Sequence, residues 1–599
     1  MHCACQAGTT AIVCAFGICM KCDALKCELY LGSCLQVQSL LLVLSKMFSK
    51  HGRPDHYSRL PAEKRFRANV QDCFLSGALP ANRAQSLIND ANAAHTVHVS
   101  DLVDRTERCS NASRNLRRRS LKDKGWPKMY KFNCPVYSLE DQQDVSVGLH
   151  MLLPHEVLNK FARYADLEVL TSTAGMSKAS KDHMAKCANA MGCQVKDICG
   201  IGLWNDGAPC NWDRTRSVEV LTMSFPGLTD RWKNIRVPIF GIMKDYLAKD
   251  KTYDCLFEVL SWSFTALMLG KHPAARHDNQ PWQPQDSQRK SVAGKPLALK
   301  GVCCEVRGDW KMVAEVLRLP SWSHNHGICM RCDALKSERD YTLDAAWRSN
   351  RCSHYQLLAR MAQQGYMPSK LWGIPFLTSE QVLIDWLHCA DLGIAANFLA
   401  SVFILIINKF QGNLDVRIKK LYEDMKAYYD VNPGPKLDRL TKTMLIKASG
   451  KKPKLRGSAA EVRHLIPFAA EKCMEYLNDG DAEEACAKRA MLELHKCYSY
   501  LKDYDAAAME ESGRKFAVFF CALEVHNPQR WQVIPKLHAF VELTSSGSNP
   551  AASWTYRDED FGGAAAAAAR KKGGKRSIAG TGEHILMRYM GNHHIPRIC

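Results

Sequence analysis

Between residues 195 and 319 the spacing of apolar positions separates strands from helices. Val195–Leu203 (VKDICGIGL) is a nearly continuous apolar run that leads to Asp206. Ser217–Phe225 (SVEVLTMSF) alternates with the period of two of a half-buried strand. Ile235–Ile242 (IRVPIFGI) predicts a third strand. Thr252–Leu269 repeats Leu, Phe and Trp at helical spacing and predicts an amphipathic helix, followed by a polar loop from His272 to about Lys295. Leu297–Val306 predicts a fourth strand that ends at Asp309, and Lys311–Leu319 a short helix stopped by Pro320.

The order strand, strand, strand, helix, strand, helix is that of a ribonuclease-H-like sheet. There the first and fourth strands lie side by side, so Asp206 and Asp309 would meet at one edge. Residues 346–530 change character. Ser379–Asp391, Leu392–Phe410, Asp415–Tyr429, Ala459–Leu477, Asp481–Tyr504 and Ser512–Val525 all carry apolar residues at helical spacing. The expected fold class is therefore α/β, a ribonuclease-H-like mixed sheet split by a large all-helical insertion. Residues 150–345 would form the first part of the core, 346–530 the insertion and 531–599 the returning part. Residues 45–149 read as a basic, mostly helical region, with two helices in Ala62–Ala93 around Gly77–Pro80. The apolar stretch Leu392–Ile407 is shorter than a ~20-residue span and contains Asn397, so it reads as a buried core helix and no membrane partner is expected.

Charge adds a partner. The 599 residues carry a net charge of +20 and a pI of about 9.0, a balance that suits phosphate neutralisation on nucleic acid. Two runs concentrate it. One is Arg114–Lys128, with Arg117, Arg118 and Arg119 adjacent and Trp126 nearby; it reads equally as a phosphate grip, a solvated linker or a nuclear-import signal. The other is KASGKKPKLRG (447–457), where Lys451, Lys452 and Lys454 could touch DNA or stand solvated. The 26 cysteines form no regular framework, which argues for reduced thiols inside the cell, some of them metal ligands. The apolar N-terminus lacks the basic start and cleavage site of a secretory signal.

Residues 1–44 look foreign to this plan. GICMKCDALK (17–26) repeats GICMRCDALK (327–336) with Lys21 in place of Arg331 as the one difference. The copy lacks the strand and the aspartate that precede its twin, so a poorly ordered duplicate is expected over a second metal knuckle.

Three acids carry the candidate chemistry. Two strand-end aspartates and a later glutamate can hold two divalent metals roughly 3.5–4 Å apart, one activating water or a 3′-hydroxyl and one stabilising the leaving oxygen. Carboxylates suit hard Mg²⁺ or Mn²⁺. Asp206 and Asp309 are the strand-end pair; Glu559, at the head of a helix after Trp554-x-Tyr556, is the third, with Asp558 and Asp560 as close competitors. Asp213 and Glu219 read as solvated. Cys329-x-x-Cys332 can hold zinc or stand as two buried thiols. His324-Asn325-His326 lacks the spread over hairpin and helix that an HNH nuclease motif needs.

With these residues in hand the chain resembles the DDE transposases of the CACTA-like group. The resemblance covers roughly residues 195–565 and rests on Asp206-Gly207, Asp309, Cys329-x-x-Cys332 and Trp554-x-Tyr556-x-x-Glu559. It rests also on Asp385-Trp386-Leu387-His388, which is similar to that group's D/C-x-x-H insertion signature; structural pairing of Asp385 with His388 is the plainer alternative. The resemblance implies a catalytic triad of Asp206, Asp309 and Glu559 on Mg²⁺ or Mn²⁺, DNA as partner, a homo-oligomer and a nuclear location. It also implies a Zn²⁺ site joining Cys329 and Cys332 to histidines ahead of the glutamate. His538 fits, 559 − 538 = 21 residues before it, but Glu542 occupies the next helical position and His526 is distant. The function expected is DNA strand cleavage and transfer, by a transposase or a domesticated derivative. The alternative is a catalytically inactive relative that binds nucleic acid; a hybrid-cutting ribonuclease and a helical scaffold are further rivals.

Overall fold

The computed structural model describes residues 61–75, 79–95, 99–103, 112–122, 124–322, 324, 327–339, 341–342, 350–448, 451–571 and 577–598. The duplicated segment at 17–26 lies outside them. By Cα proximity the chain divides into two compact units near Lys124 and Gly125, ahead of the boundary expected at 149/150. In the smaller unit, helices α1 (Ala62–Leu75), α2 (Ala81–Ala93) and α3 (Ala112–Leu121) close around Val70, Phe74, Ile88 and Leu116.

The larger unit is mixed α/β. It opens on an antiparallel hairpin, β1 (Tyr130–Ser138) and β2 (Gln143–Met151), where the composition had suggested helix. The burial of β1 alternates strictly, and Phe132, Cys134 and Val136 point inward. Helices α4 (Pro154–Phe161) and α5 (Lys178–Ala190) follow. Then come β3 (Ile198–Pro209), β4 (Ser217–Ser224), β5 (Val237–Met243), the long helix α6 (Asp250–Leu269) and β6 (Lys300–Gly308). The sheet order is β5-β4-β3-β6; β4 is antiparallel to both its neighbours and β6 runs parallel to β3. The fourth strand thus lies beside the first.

Helices cover this sheet, which explains its runs of apolar residues. Met184 and Cys187 of α5 pack on Ile198, Val302 and Cys304. The half-buried β4 expected from its alternation is in fact buried at seven of eight positions. Its cover includes the far end of the chain, where Ala565, Ala569 and Ile585 pack with Val218 and Val220.

The helical region runs from α7 (His354–Gln363) through α8 (Ala396–Ile407), α9 (Leu414–Val431), α10 (Ala459–Tyr476), α11 (Ala482–Ser499) and α12 (Ala506–His526). Ser353 with Gln356 and Ser458 with Glu461 form capping boxes at α7 and α10. The helix read from Ser379 to Asp391 is instead a short 3₁₀ turn followed by a π-helical stretch, Leu387–Ala395, that runs directly into α8. Over Leu387–Ile407 this element is long and apolar enough to cross a membrane, but 89% of its apolar window is buried in the protein. Phe398 meets Phe516, Phe520 and Trp531 at ring-centroid distances of 5.2, 5.4 and 5.3 Å.

The chain then returns to the sheet by α13 (Lys536–Thr544), α14 (Tyr556–Lys571) and α15 (Gly580–Asn592). The alanine tract, low in complexity as sequence, is core: Ala565, Ala566, Ala568 and Ala569 pack with Val218, Val220 and Ile585. A Cβ on Gly562 would meet the Trp204 ring at 3.0 Å, so glycine there lets the helix approach β3 closely. A buried ion pair sets the rotation of α14. Asp558, with no exposed surface, is bound by the Arg236 guanidinium, and its Oδ2 lies 3.2 Å from Nη1 of Arg307. Arg307 also donates to Ser224 Oγ at 2.6 Å. Removing one member of such a pair leaves the others charged and buried, so Asp558→Ala should cost about 3–5 kcal/mol in unfolding free energy. Denaturant melts monitored by circular dichroism check this; a loss below about 1 kcal/mol would contradict it.

Candidate active site

Asp206 sits near the end of β3, and Asp309 follows β6 directly. Asn205 and Gly308 are Cα partners across the parallel pair, so the two acids come next in register on strands roughly 4.8 Å apart. The Gly207 N–H donates to Asp206 Oδ1 at 2.6 Å. A Cβ on Gly207 would meet Glu219 Oε1 at 2.6 Å, so the glycine leaves room for that carboxylate in its present position. Asp309 Oδ1 accepts at 2.7 Å from the N–H of Met312, the first residue of a π-helical turn, Met312–Val316, where a longer helix was expected. Arg318, with φ of +56°, ends that segment and donates to Asp254 at 2.8 Å.

Glu559 lies in the first turn of α14, immediately after the anchored Asp558. Asp385 and the Trp-x-Tyr pair hold the head of that helix. The Thr555 N–H and hydroxyl donate to the two oxygens of Asp385 at 2.9 and 2.8 Å. Tyr556 donates to Asp391 at 2.7 Å, as do Tyr498 at 2.6 Å and the Trp386 indole at 3.2 Å. Arg463 stacks over Trp554 at 4.3 Å. Asp385 also accepts from Nδ1 of His388 at 2.7 Å, which leaves Nε2 facing Glu559 Oε1 at 3.8 Å. Structural pairing, the plainer reading of this motif, is thus present, and the paired ring also borders Glu559.

Ligand atoms of Asp206, His388 and Glu559 all lie within 4.8 Å of one another, although 559 − 206 = 353 positions separate the acids. Asp309 stands beside this trio and outside its tightest spacing. Crowding shows in the acidities. Burial, then the charge of Asp309, raises Asp206 above the usual carboxylate range. Burial, then the charge of Asp206, pushes Glu559 up to about 8. For His388 burial disfavours the imidazolium, but the Asp385 hydrogen bond and charge, with Glu559 and Asp309, outweigh it and push the ring up to about 9. Glu559 Oε1 is buried with no hydrogen-bond partner. Like-charged carboxylates with an orphaned oxygen are a donor set that fits a hard divalent cation.

Asp206 and Asp309 line a cleft of about 780 Å³, whose walls also include Arg214, Lys244, Lys249 and Lys311. Glu219, read as solvated, is buried there and accepts from Tyr253 at 3.1 Å; facing Gly207 across β3–β4 turned it inward. Asp213 is exposed in the β3–β4 loop and binds Thr215. Asp560, the other competitor for the glutamate's place, is exposed too. Lys536, with no signal in the sequence, donates to the His388 carbonyl at 2.8 Å, and burial pushes its ammonium down to about 8. His324 lines the cleft and accepts from Ser321; Asn325 and His326 lie outside the described residues.

A second cluster joins Cys329, Cys332 and His538, all buried, with ligand atoms within 4.8 Å of one another. Cys332 Sγ stands 3.4 Å from His538 Nε2. Cys332 first, then His538, hold the Cys329 thiol well below its ordinary value. Two thiols and an imidazole at this spacing fit zinc.

Arg117 and Arg118 are exposed on α3, while Arg119 is spent on the Leu102 carbonyl at 3.3 Å. Lys451 and Lys454 are exposed, but Lys452 binds the Pro528 carbonyl, so that loop is docked on the helical region and is only partly solvated. No protein-family model matches the sequence, and no curated protein matches it.

Asp391 yields a pH test. Full burial raises its carboxyl to about 7 despite the two tyrosine hydrogen bonds. The folded state then keeps a proton that the unfolded state has released, so this group's contribution to stability falls as pH rises from about 4 to 7. Asp391→Asn should remove that slope. The variant should gain on wild type by up to roughly 1.4 kcal/mol per pH unit across this window. Chemical unfolding at pH 5, 6 and 7 checks it; a constant difference would refute it.

Proposed function

We propose that this chain is a DDE-type DNA strand transferase, a transposase or a domesticated derivative, with a ribonuclease-H-like core interrupted by the helical region. One observation carries the reading: two acids 353 positions apart, 559 − 206, share one 4.8 Å cluster, and the first of them lies near the end of the inner strand β3 of a β5-β4-β3-β6 sheet. The D-x-x-H histidine of the helical region is the cluster's third member. The parallel β3–β6 pair, with an acid on or just after each strand, supports the same core.

Mg²⁺ or Mn²⁺ held by Asp206, Asp309 and Glu559 would supply Lewis acidity and an activated water or 3′-hydroxyl. The chain's own groups do the positioning. Asp385 fixes the His388 ring so that Nε2–H points into the acid cluster, where it can donate to a phosphodiester oxygen or a departing 3′-oxygen. The Asp558 ion pair keeps α14 from rotating Glu559 away. Lysines on the cleft wall, with the +20 net charge, suit a phosphate backbone. DNA as partner, assembly into a homo-oligomer and a nuclear location follow from this reading, as does a zinc ion on Cys329, Cys332 and His538.

The test is nicking of supercoiled DNA by the full chain with Mn²⁺ or Mg²⁺. Asp206→Asn and Glu559→Gln should each lose roughly a hundredfold or more in rate, while gel-shift affinity stays near that of wild type. Salt-dependent binding with no cleavage by wild type would favour the inactive DNA-binding relative. Equal cleavage by both variants would remove the acids from the mechanism.

A further inference from the structure

Three ligands leave a structural zinc site incomplete, because zinc in such sites is held by four, in a tetrahedron. The next position on the His538 face of α13, one turn on, is Glu542. That carboxylate is already engaged: Nη1 of Arg351 lies 2.8 and 3.0 Å from its two oxygens. The engagement has a consequence for the neighbouring residue. Arg351 forms an antiparallel bridge with Cys332, and the Cys352 N–H donates to the Arg331 carbonyl at 3.0 Å. The strand segment carrying Cys352 is thus laid against the Cys-x-x-Cys turn from one side and clamped by α13 from the other. The Cys352 side chain is half-buried beside this turn; its thiol stands outside the 4.8 Å grouping of the other three, so joining them requires that side chain to turn inward.

We propose that Cys352 is the fourth ligand, making with Cys329, Cys332 and His538 a Cys₃His zinc site. It deepens the zinc part of the reading above and does not depend on DNA cleavage. The site is a junction as well as a knuckle. Arg360 of α7 donates to the Cys332 carbonyl at 3.1 Å and to that of Cys329 at 3.4 Å, and Arg331 donates to the Val382 carbonyl at 2.9 Å. A metal on these four residues would fasten the start of the helical region and the helix that returns from it to the chain that follows Asp309. The occupant is a thiolate-preferring divalent metal, zinc by availability and geometry.

The experiment uses the full chain carrying Cys19→Ser and Cys22→Ser, so that the duplicated Cys-x-x-Cys contributes no metal. Bound zinc is counted by mass spectrometry. Co²⁺ is then exchanged in, and its sulfur-to-metal charge-transfer absorption, which scales with the number of thiolates, is read. One zinc per chain is expected. Cys352→Ser and the ligand-preserving Cys352→His should each lower the charge-transfer band by about a third, as three thiolates become two. Cys193→Ser should leave it unchanged. If the serine variant fails to fold, the histidine variant carries the same reading. An undiminished band in both Cys352 variants, loss of the metal on Glu542→Gln alone, or no bound zinc in the parent chain would each overturn the proposal.

Discussion

A single buried carboxylate, Asp558, decides where the last catalytic candidate goes. Helix α14 meets the sheet through alanines and glycines, a smooth face that permits sliding and rotation. A fully buried charge between Arg236 and Arg307 permits neither, because any shift leaves ions uncompensated in a low-dielectric interior. Glu559 is the next residue. Its approach to Asp206, unfavourable between like charges, is imposed by its neighbour and by Thr555 on Asp385. Asp558 and Glu559 share one helical turn, the first holding the helix and the second facing Asp206 and His388.

The same logic extends into the helical region. Asp385 receives the head of α14 through Thr555 and orients His388 toward the acids. Three residues past His388, Asp391 takes hydrogen bonds from Trp386, Tyr498 and Tyr556. A π-helical stretch carries these residues, and a second one follows Asp309. Wide turns of this kind recur at functional sites because they re-aim side chains within a helix. The helical region is therefore more than a spacer: part of the acid cluster's inner wall belongs to it.

How much of this was legible depended on whether a signal was local. Strands β3 to β6 and helix α6 were, because their apolar periods declare burial within ten residues. The Asp206-Gly207 and Asp385-to-His388 motifs were legible for the same reason. Glu219 was not: its alternation in β4 placed it on one face, but only α6, through Tyr253, and the glycine opposite make that face interior. The alanine tract reads as low complexity able to extend a helix from near Tyr556, as α14 does; that its small side chains are core depends on Val218, Val220 and Ile585, far off in sequence. The β1–β2 hairpin was masked by the basic run that precedes it, although Lys131 and other polar residues of β1 alternate with a buried row. The choice among Asp558, Glu559 and Asp560 could not be made from spacing. It turned on Arg236 and Arg307, hundreds of residues away.

The central claim is that Asp206 and Glu559 share a cation. Anomalous diffraction from crystals soaked in Mn²⁺ tests it most directly. A peak at bonding distance, roughly 2.0–2.3 Å, from carboxylate oxygens of both residues is the result this account predicts. Ordered carboxylates with no peak between them, or manganese bound only elsewhere, would contradict it.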